Sequence, residues 1–204
     1  MILRERISRL RAFSGAVVIC RPFCERKAFS MSEPRIPIPK PQGHHCFACG
    51  TDNPFGLNLQ FYTAGDAVCA DVTLDRYRVG WEGIAHGGII STLMDEIMSW
   101  TIIYFRRVFF LTRKMEVRYL KPVPIEAPLT VQGKLGKESP FPRILVQADV
   151  LAEDGTRLAY SKGEFVQLSA DKLALIPDHL KADMESLFER FSDLPDRSGA
   201  GSRA

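Results

Sequence analysis

The alternation of apolar and polar positions divides the chain into strand-like and helix-like stretches. Over residues 57–63, Leu57, Leu59 and Phe61 alternate with polar partners, the two-residue period of a half-buried strand. Residues 68–74 repeat it with Val68, Ala70, Val72 and Leu74, and Gly65-Asp66 marks the turn between them. After a glycine-rich loop at 80–88 the period changes. From 89 to 105, Ile90, Leu93, Met94, Ile97 and Thr101 recur at spacings of three and four. Ile89, Met98, Trp100, Ile102 and Ile103 make this helix apolar on most sides, which predicts a buried one. Strand period returns with Met115, Val117 and Tyr119, and Pro122, Pro124 and Pro128 punctuate. Further strands are predicted from Leu129, Val131 and Leu135, over 144–151 and over 158–168, with Glu153-Asp154-Gly155-Thr156 as a hairpin signal. Two strands, one long buried helix and an antiparallel meander of about four strands give an α+β architecture. Residues 177–191 predict an amphipathic helix with Leu180, Met184, Leu187, Phe188 and Phe191 on one stripe and Pro177 at its first position. That helix is expected to pack on the chain's own sheet or on a partner subunit. The Gly/Ser/Arg-rich end, 195–204, is expected to be disordered.

A length of 204 residues suits one domain with extensions, and 46% hydrophobic with 25% charged residues excludes a fully disordered chain or collagen. No apolar run approaches the ~20 residues of a membrane-spanning helix. The net charge of +3 is unevenly placed. Residues 1–30 hold seven basic and two acidic residues, leaving 20 basic and 22 acidic elsewhere. A near-neutral body gives no reason to expect nucleic acid as a partner. The basic segment reads as a targeting presequence, as a basic arm, or as a stretch outside the natural product, with Met31 as the start. The third is the expectation. Pro34, Pro37, Pro39 and Pro41 follow, so 1–43 is expected to be an extended, polyproline-like and disordered extension, 44–169 the folded domain, and 170–204 a helix and tail. Five cysteines, an odd number, do not form a disulfide framework, and a cytoplasmic location is expected.

The chemistry concentrates at Ala85-His86-Gly87-Gly88 and Asp95. Two glycines open a buried helix whose free N–H groups and positive dipole end suit an oxygen that gains negative charge. A carboxylate follows in the third turn. The same residues also read as a plain loop, a satisfied loop histidine and a solvated acid. Asp95 and Glu96 lie about 100° apart around the helix, so both are not expected to face inward.

His86-Gly87-Gly88 with Asp95 nine residues after the histidine is similar to the central-helix motif of hotdog-fold acyl-CoA thioesterases, the PaaI-like branch above all. Cys46-x-x-Cys49-Gly50 with Asn53-Pro54-x-Gly56-Leu57 resembles the N-terminal signature of many members. Thr112 with Arg118-Tyr119-Leu120-Lys121-Pro122-Val123-Pro124 resembles the strand after the helix, and the three segments stand in the right order over 46–168. The resemblance implies a hotdog fold, a long helix wrapped by a curved antiparallel sheet of about five to six strands. It implies hydrolysis of an acyl-CoA to a free acid and coenzyme A by a homodimer or dimer of dimers with shared active sites. Asp95 lies some 12 Å along the helix from Gly87 at ~1.5 Å per residue, so a two-fold axis would bring Asp95 of one chain to Gly87 and Gly88 of the other. The implied roles are Gly88, with Gly87, polarising the carbonyl; Asp95 as general base or nucleophile; and His86 and Thr112 orienting the reactants. One departure from some relatives is that 80–85 offers no amide side chain. The alternative is a non-catalytic module of the same fold that binds acyl-CoA or a protein.

Trp81 and Met94, with Met98, Trp100, Tyr104 and Phe105, read either as acyl-pocket lining or as core. Arg113, Arg118 and Lys121, with Lys114, read either as contacts to coenzyme A phosphates or as a solvated strand face. Cys46-x-x-Cys49 beside His44 and His45 invites a zinc reading. No second cysteine pair lies near and the histidines are adjacent, so no metal or other cofactor is expected, and the pair reads as a knuckle packed over the sheet. Nothing in the sequence points to the lowered thiol pKa that a redox role needs.

Overall fold

The computed structural model describes residues 34–194, so the expectations for residues 1–30 and 195–204 lie outside the described residues. The strands are β1 (Ile36–Ile38), β2 (Phe61–Ala64), β3 (Ala67–Thr73), β4 (Val79–Trp81), β5 (Ile84–Ala85), β6 (Phe110–Tyr119), β7 (Pro128–Leu135), β8 (Arg143–Ala152) and β9 (Arg157–Gln167). The helices are α1 (Gly87–Arg106), α2 (Ala170–Leu173) and α3 (Asp178–Ser192). Seven strands form one antiparallel sheet in the order β1-β2-β3-β7-β8-β9-β6, and β4 and β5 pair as a separate ribbon within the predicted glycine-rich loop.

Three expectations need correction. The strands after α1 are not one meander: β7, β8 and β9 are, but β6 lies beyond β9 at the sheet edge. Alternation tells which face of a strand is apolar and says nothing about its neighbours. The proline-rich leader contributes a strand, with Ile36, Pro37 and Ile38 opposite Thr63, Tyr62 and Phe61. Proline is tolerated there because β1 is an edge strand, and Ile38 is buried. Pro177 is the N-cap of α3 rather than its first helical residue.

Helix α1 lies on one face of the sheet with Leu93, Met94, Ile97, Met98 and Ile102 fully buried. The approach is closest at β7. A Cβ on Gly133 would collide with Thr101 Oγ1 and stand 2.8 Å from the Ile97 carbonyl oxygen. Gly163 on β9 is similar: its Cβ would stand 2.8 Å from Met98 Sδ. Helix α3 packs on the same chain, burying Leu187 and Phe191, with Phe191 against Tyr104 at 5.2 Å between ring centres. Leu180, at the other end of the predicted stripe, is exposed. Among the described residues no helix is long and apolar enough to cross a membrane.

Replacing Gly133 by alanine forces helix and strand backbones apart and should destabilise the fold by about 1–3 kcal/mol, the usual cost of overpacking. Denaturant unfolding, with an unchanged slope and a lower midpoint, is the measurement that checks it.

Candidate active site

The β4–β5 ribbon delivers the chain to the start of α1. The His86 N–H donates to the Arg78 carbonyl at 2.8 Å and the Ala85 N–H to that of Val123 at 2.8 Å. His86 is the N-cap, with extended backbone (φ −63°, ψ 134°), and its Nδ1 accepts from the Gly88 N–H at 2.9 Å. A ring that accepts through Nδ1 is neutral and carries its proton on Nε2. The Gly88 N–H, expected to be free for a carbonyl oxygen, is therefore held by the neighbouring side chain. A Cβ on Gly88 would stand 3.0 Å from Nδ1, so glycine leaves the imidazole its place. Tyr119 of β6 ties strand to helix: its hydroxyl donates to the Gly87 carbonyl at 3.0 Å and lies 2.8 Å from Ser91 Oγ. Tyr119 was legible only as part of a strand, because its partners stand 28 and 32 residues earlier.

Thr112 and Asp95 meet through an irregularity in β6. Met115 pairs with Gly163 and Lys114 with Glu164, but Thr112 pairs with Phe165, so Arg113 is an extra residue. Such a bulge inverts the parity of the strand beyond it. Without it, Thr112 would face away from Met115 and Val117. With it, Thr112 shares their face, and its hydroxyl donates to Asp95 Oδ1 at 3.1 Å. Burial pushes the Asp95 carboxyl above its ordinary 3.8, and the Thr112 hydrogen bond opposes that rise.

Residues 82–139 match the family model of the thioesterase superfamily, across the helix and β6. A crystal structure of a thioesterase superfamily protein superposes with a TM-score of 0.57 at 27% identity, covering 60% of each chain. The chain has the hotdog fold. The domain spans less than two thirds of that protein's length. Two more distant hotdog proteins agree in fold, each with a TM-score of 0.50. One is a hypothetical thioesterase from Streptococcus pneumoniae TIGR4 crystallised with coenzyme A (19% identity, 55% of this chain and 87% of that one). The other is the E. coli PaaI protein from the phenylacetic acid degradation operon (11% identity, 55% and 81%). No curated protein matches the chain in sequence.

In this hotdog domain the other expected site residues divide. Met94 is fully buried core and offers no surface to a ligand within the chain, whereas Trp81 on the β4–β5 ribbon is 70% exposed. Arg113 pairs with Glu164 at 3.1 Å and Arg118 with Glu116 at 3.1 Å, both exposed, and Lys121 is exposed just past β6. A cavity of about 870 Å³ sits on the opposite face of the sheet, lined by Asp71, Gln132, Lys134, Asp149 and Arg157, and takes up none of the helix residues.

The hotdog helix carries a second acid that sequence reasoning set aside. Glu96 is partly buried beneath the Cys46–Gly50 knuckle, which packs over the helix rather than over the sheet. Trp100 Nε1 donates to Glu96 Oε1 at 2.9 Å, and Cys46 Sγ lies 3.9 Å from Oε2. Burial, then the nearby Cys46, pushes the Glu96 carboxyl up to about 7. A hydrogen bond from Cys49 pulls the Cys46 thiol down to about 5, and donating that bond, with burial, pushes Cys49 up. A lowered thiol pKa, not legible in the sequence, is thus present. Both acids of the pair are drawn out of water because the chain covers the helix from two sides, β6 over Asp95 and the knuckle over Glu96.

The raised Asp95 pKa has a sign. Below 3.8 the group is protonated folded and unfolded and costs nothing; above its folded pKa the buried charge opposes folding. Asp95→Asn should therefore melt higher than the wild type at about pH 8, with the gain shrinking toward about pH 4.5. Thermal denaturation across pH tests this, and a pH-independent difference would exclude burial of charge as its cause.

Proposed function

We propose that the protein is an acyl-CoA thioesterase that works as a homodimer or dimer of dimers. The observation that carries this reading is the Asp95 carboxylate: half-buried, oriented by Thr112 across a bulge, on a helix that opens with His86-Gly87-Gly88. Burial makes Asp95 a stronger base than an exposed aspartate, which suits it to take a proton from water. Water oxygen then bonds to the thioester carbon, the carbon–sulfur bond breaks, and the thiolate of coenzyme A is protonated as it leaves. Direct attack by Asp95 would instead form an anhydride that water opens.

The carbonyl oxygen is served by the Gly87 N–H, the first of the helix and without an intrahelical partner, and by the outward Nε2–H of His86. Taking the Gly88 N–H as well requires displacing His86 Nδ1. Helical geometry keeps Asp95 away from its own helix start, so the partner's helix start completes the site. The free edge of β6 and exposed Val79, Trp81, Leu111 and Tyr119 support pairing with a second copy. The coenzyme A bound by the Streptococcus pneumoniae relative supports the substrate class, and Arg113, Arg118 and Lys121 are the bases within this region that would meet its phosphates.

Free-thiol release from short, medium, long and aromatic acyl-CoAs is the test. Asp95→Ala should lower kcat by roughly 10²- to 10⁴-fold with the dimer and circular dichroism unchanged. No turnover by a folded, dimeric wild type on any of these substrates would overturn the enzymatic reading in favour of an acyl-CoA-binding module.

A further inference from the structure

The knuckle of residues 44–50 brings together donors that the thioesterase reading does not use. Cys46 Sγ, Cys49 Sγ and a Glu96 carboxylate oxygen lie within 4.8 Å of one another. A tetrahedral zinc ion, with bonds of ~2.3 Å to sulfur and ~2.0 Å to oxygen, holds such atoms roughly 3.5–3.8 Å apart. The 3.9 Å between Cys46 Sγ and Glu96 Oε2 is already close to that spacing. That contact is long for a hydrogen bond, and the hydrogen bonds within the cluster run from Cys49 to Cys46 and Glu96.

The surroundings favour a cation. Trp100 Nε1 holds Glu96 through Oε1 and leaves Oε2 turned to the cysteines. Lys40 is buried beside the cluster, but its three protons go to the Cys49 carbonyl (2.8 Å), Asn58 Oδ1 (3.1 Å) and the Leu59 carbonyl (2.6 Å), so it acts on the cluster as a fixed charge. Two thiolates, one carboxylate and the Lys40 ammonium sum to −2, the charge a divalent ion cancels. His44, two residues before Cys46, has its Nε2 buried with no hydrogen-bond partner, but its ring lies outside the three-donor group. Two soft sulfur ligands select zinc over magnesium or calcium.

We propose that Cys46, Cys49 and Glu96 bind a zinc ion that fastens the N-terminal knuckle to α1 beside Asp95. The site escapes the sequence because its third ligand stands 47 residues after Cys49, on the helix. Binding releases the thiol protons, so the metal is held more tightly as pH rises.

The test uses the full chain, reduced and freed of metal by a chelator, titrated with Co²⁺ and then Zn²⁺. The wild type should take up one equivalent of Co²⁺ with a thiolate-to-cobalt charge-transfer band that Zn²⁺ abolishes. Cys46→Ser/Cys49→Ser should lose the band, Glu96→Gln should bind at least about tenfold more weakly, and Cys20→Ser/Cys24→Ser should bind like the wild type. Circular dichroism establishes that each variant is folded. A wild type without the band, or a band that survives in Cys46→Ser/Cys49→Ser, overturns the site. Equal affinity in Glu96→Gln overturns the assignment of the third ligand. None of these readouts depends on thioester turnover, so a failure here leaves the enzymatic reading to its own test.

Discussion

Helix α1 rests on β7 with backbone against backbone at Gly133, and most of what is specific to this molecule follows from that contact. A side chain there would lift the helix and tilt it. With the contact closed, the helix start falls under Tyr119, its third turn falls opposite Thr112, and its far end receives Phe191 of α3. Close packing in a protein interior is usually discussed as stability. Here it also fixes where a carboxylate and a row of N–H groups stand relative to the sheet.

The second constraint is electrostatic. Asp95 and Glu96 are neighbours on the chain, and a helix with solvent on one side would leave at least one of them in water. Along its third turn this helix is covered enough that both acids are half-buried. Strand β6 and the knuckle each bring a partner with the cover they impose, Thr112 for one acid and the cysteines for the other, and the helix itself adds Trp100 to the second. Burial raises both carboxyls; Cys46 adds to the rise at Glu96, while Thr112 at Asp95 and Cys49 and Trp100 at Glu96 restrain it.

Much of this was legible in the sequence, and what was missed has a common cause. The period of three and four from Ile90 to Thr101 located α1 because helix burial repeats locally. The hotdog resemblance added the wrapped sheet, which the family match and the superposed structures bear out. The position of β6 at the edge, the strand Ile36–Ile38 and the approach of Glu96 to Cys46 were not legible. Each depends on residues tens of positions apart, and no local period encodes such a meeting. The bulge at Arg113 illustrates the limit: Met115, Val117 and Tyr119 alternate in plain view, yet the register error that turns Thr112 toward the helix leaves no mark in the spacing. The Gly87-Gly88 pair was legible as a helix start, but the capture of the Gly88 N–H by His86 needed the rotamer of a side chain.

The open edge of β6 has a consequence of another kind. The outer edge of a ten-residue strand is a template on which other chains can add, and natural sheets discourage this with charge and with irregular ladders. Arg113, Lys114 and Arg118 stand along that strand and Lys121 just past it, and the bulge interrupts its ladder at Arg113. Whatever these bases do for a ligand, they also discourage unspecific strand addition beyond the pairing proposed with a second copy. Removing them for the sake of altered ligand recognition would give up colloidal stability for selectivity, and the loss would be felt first in concentrated solution.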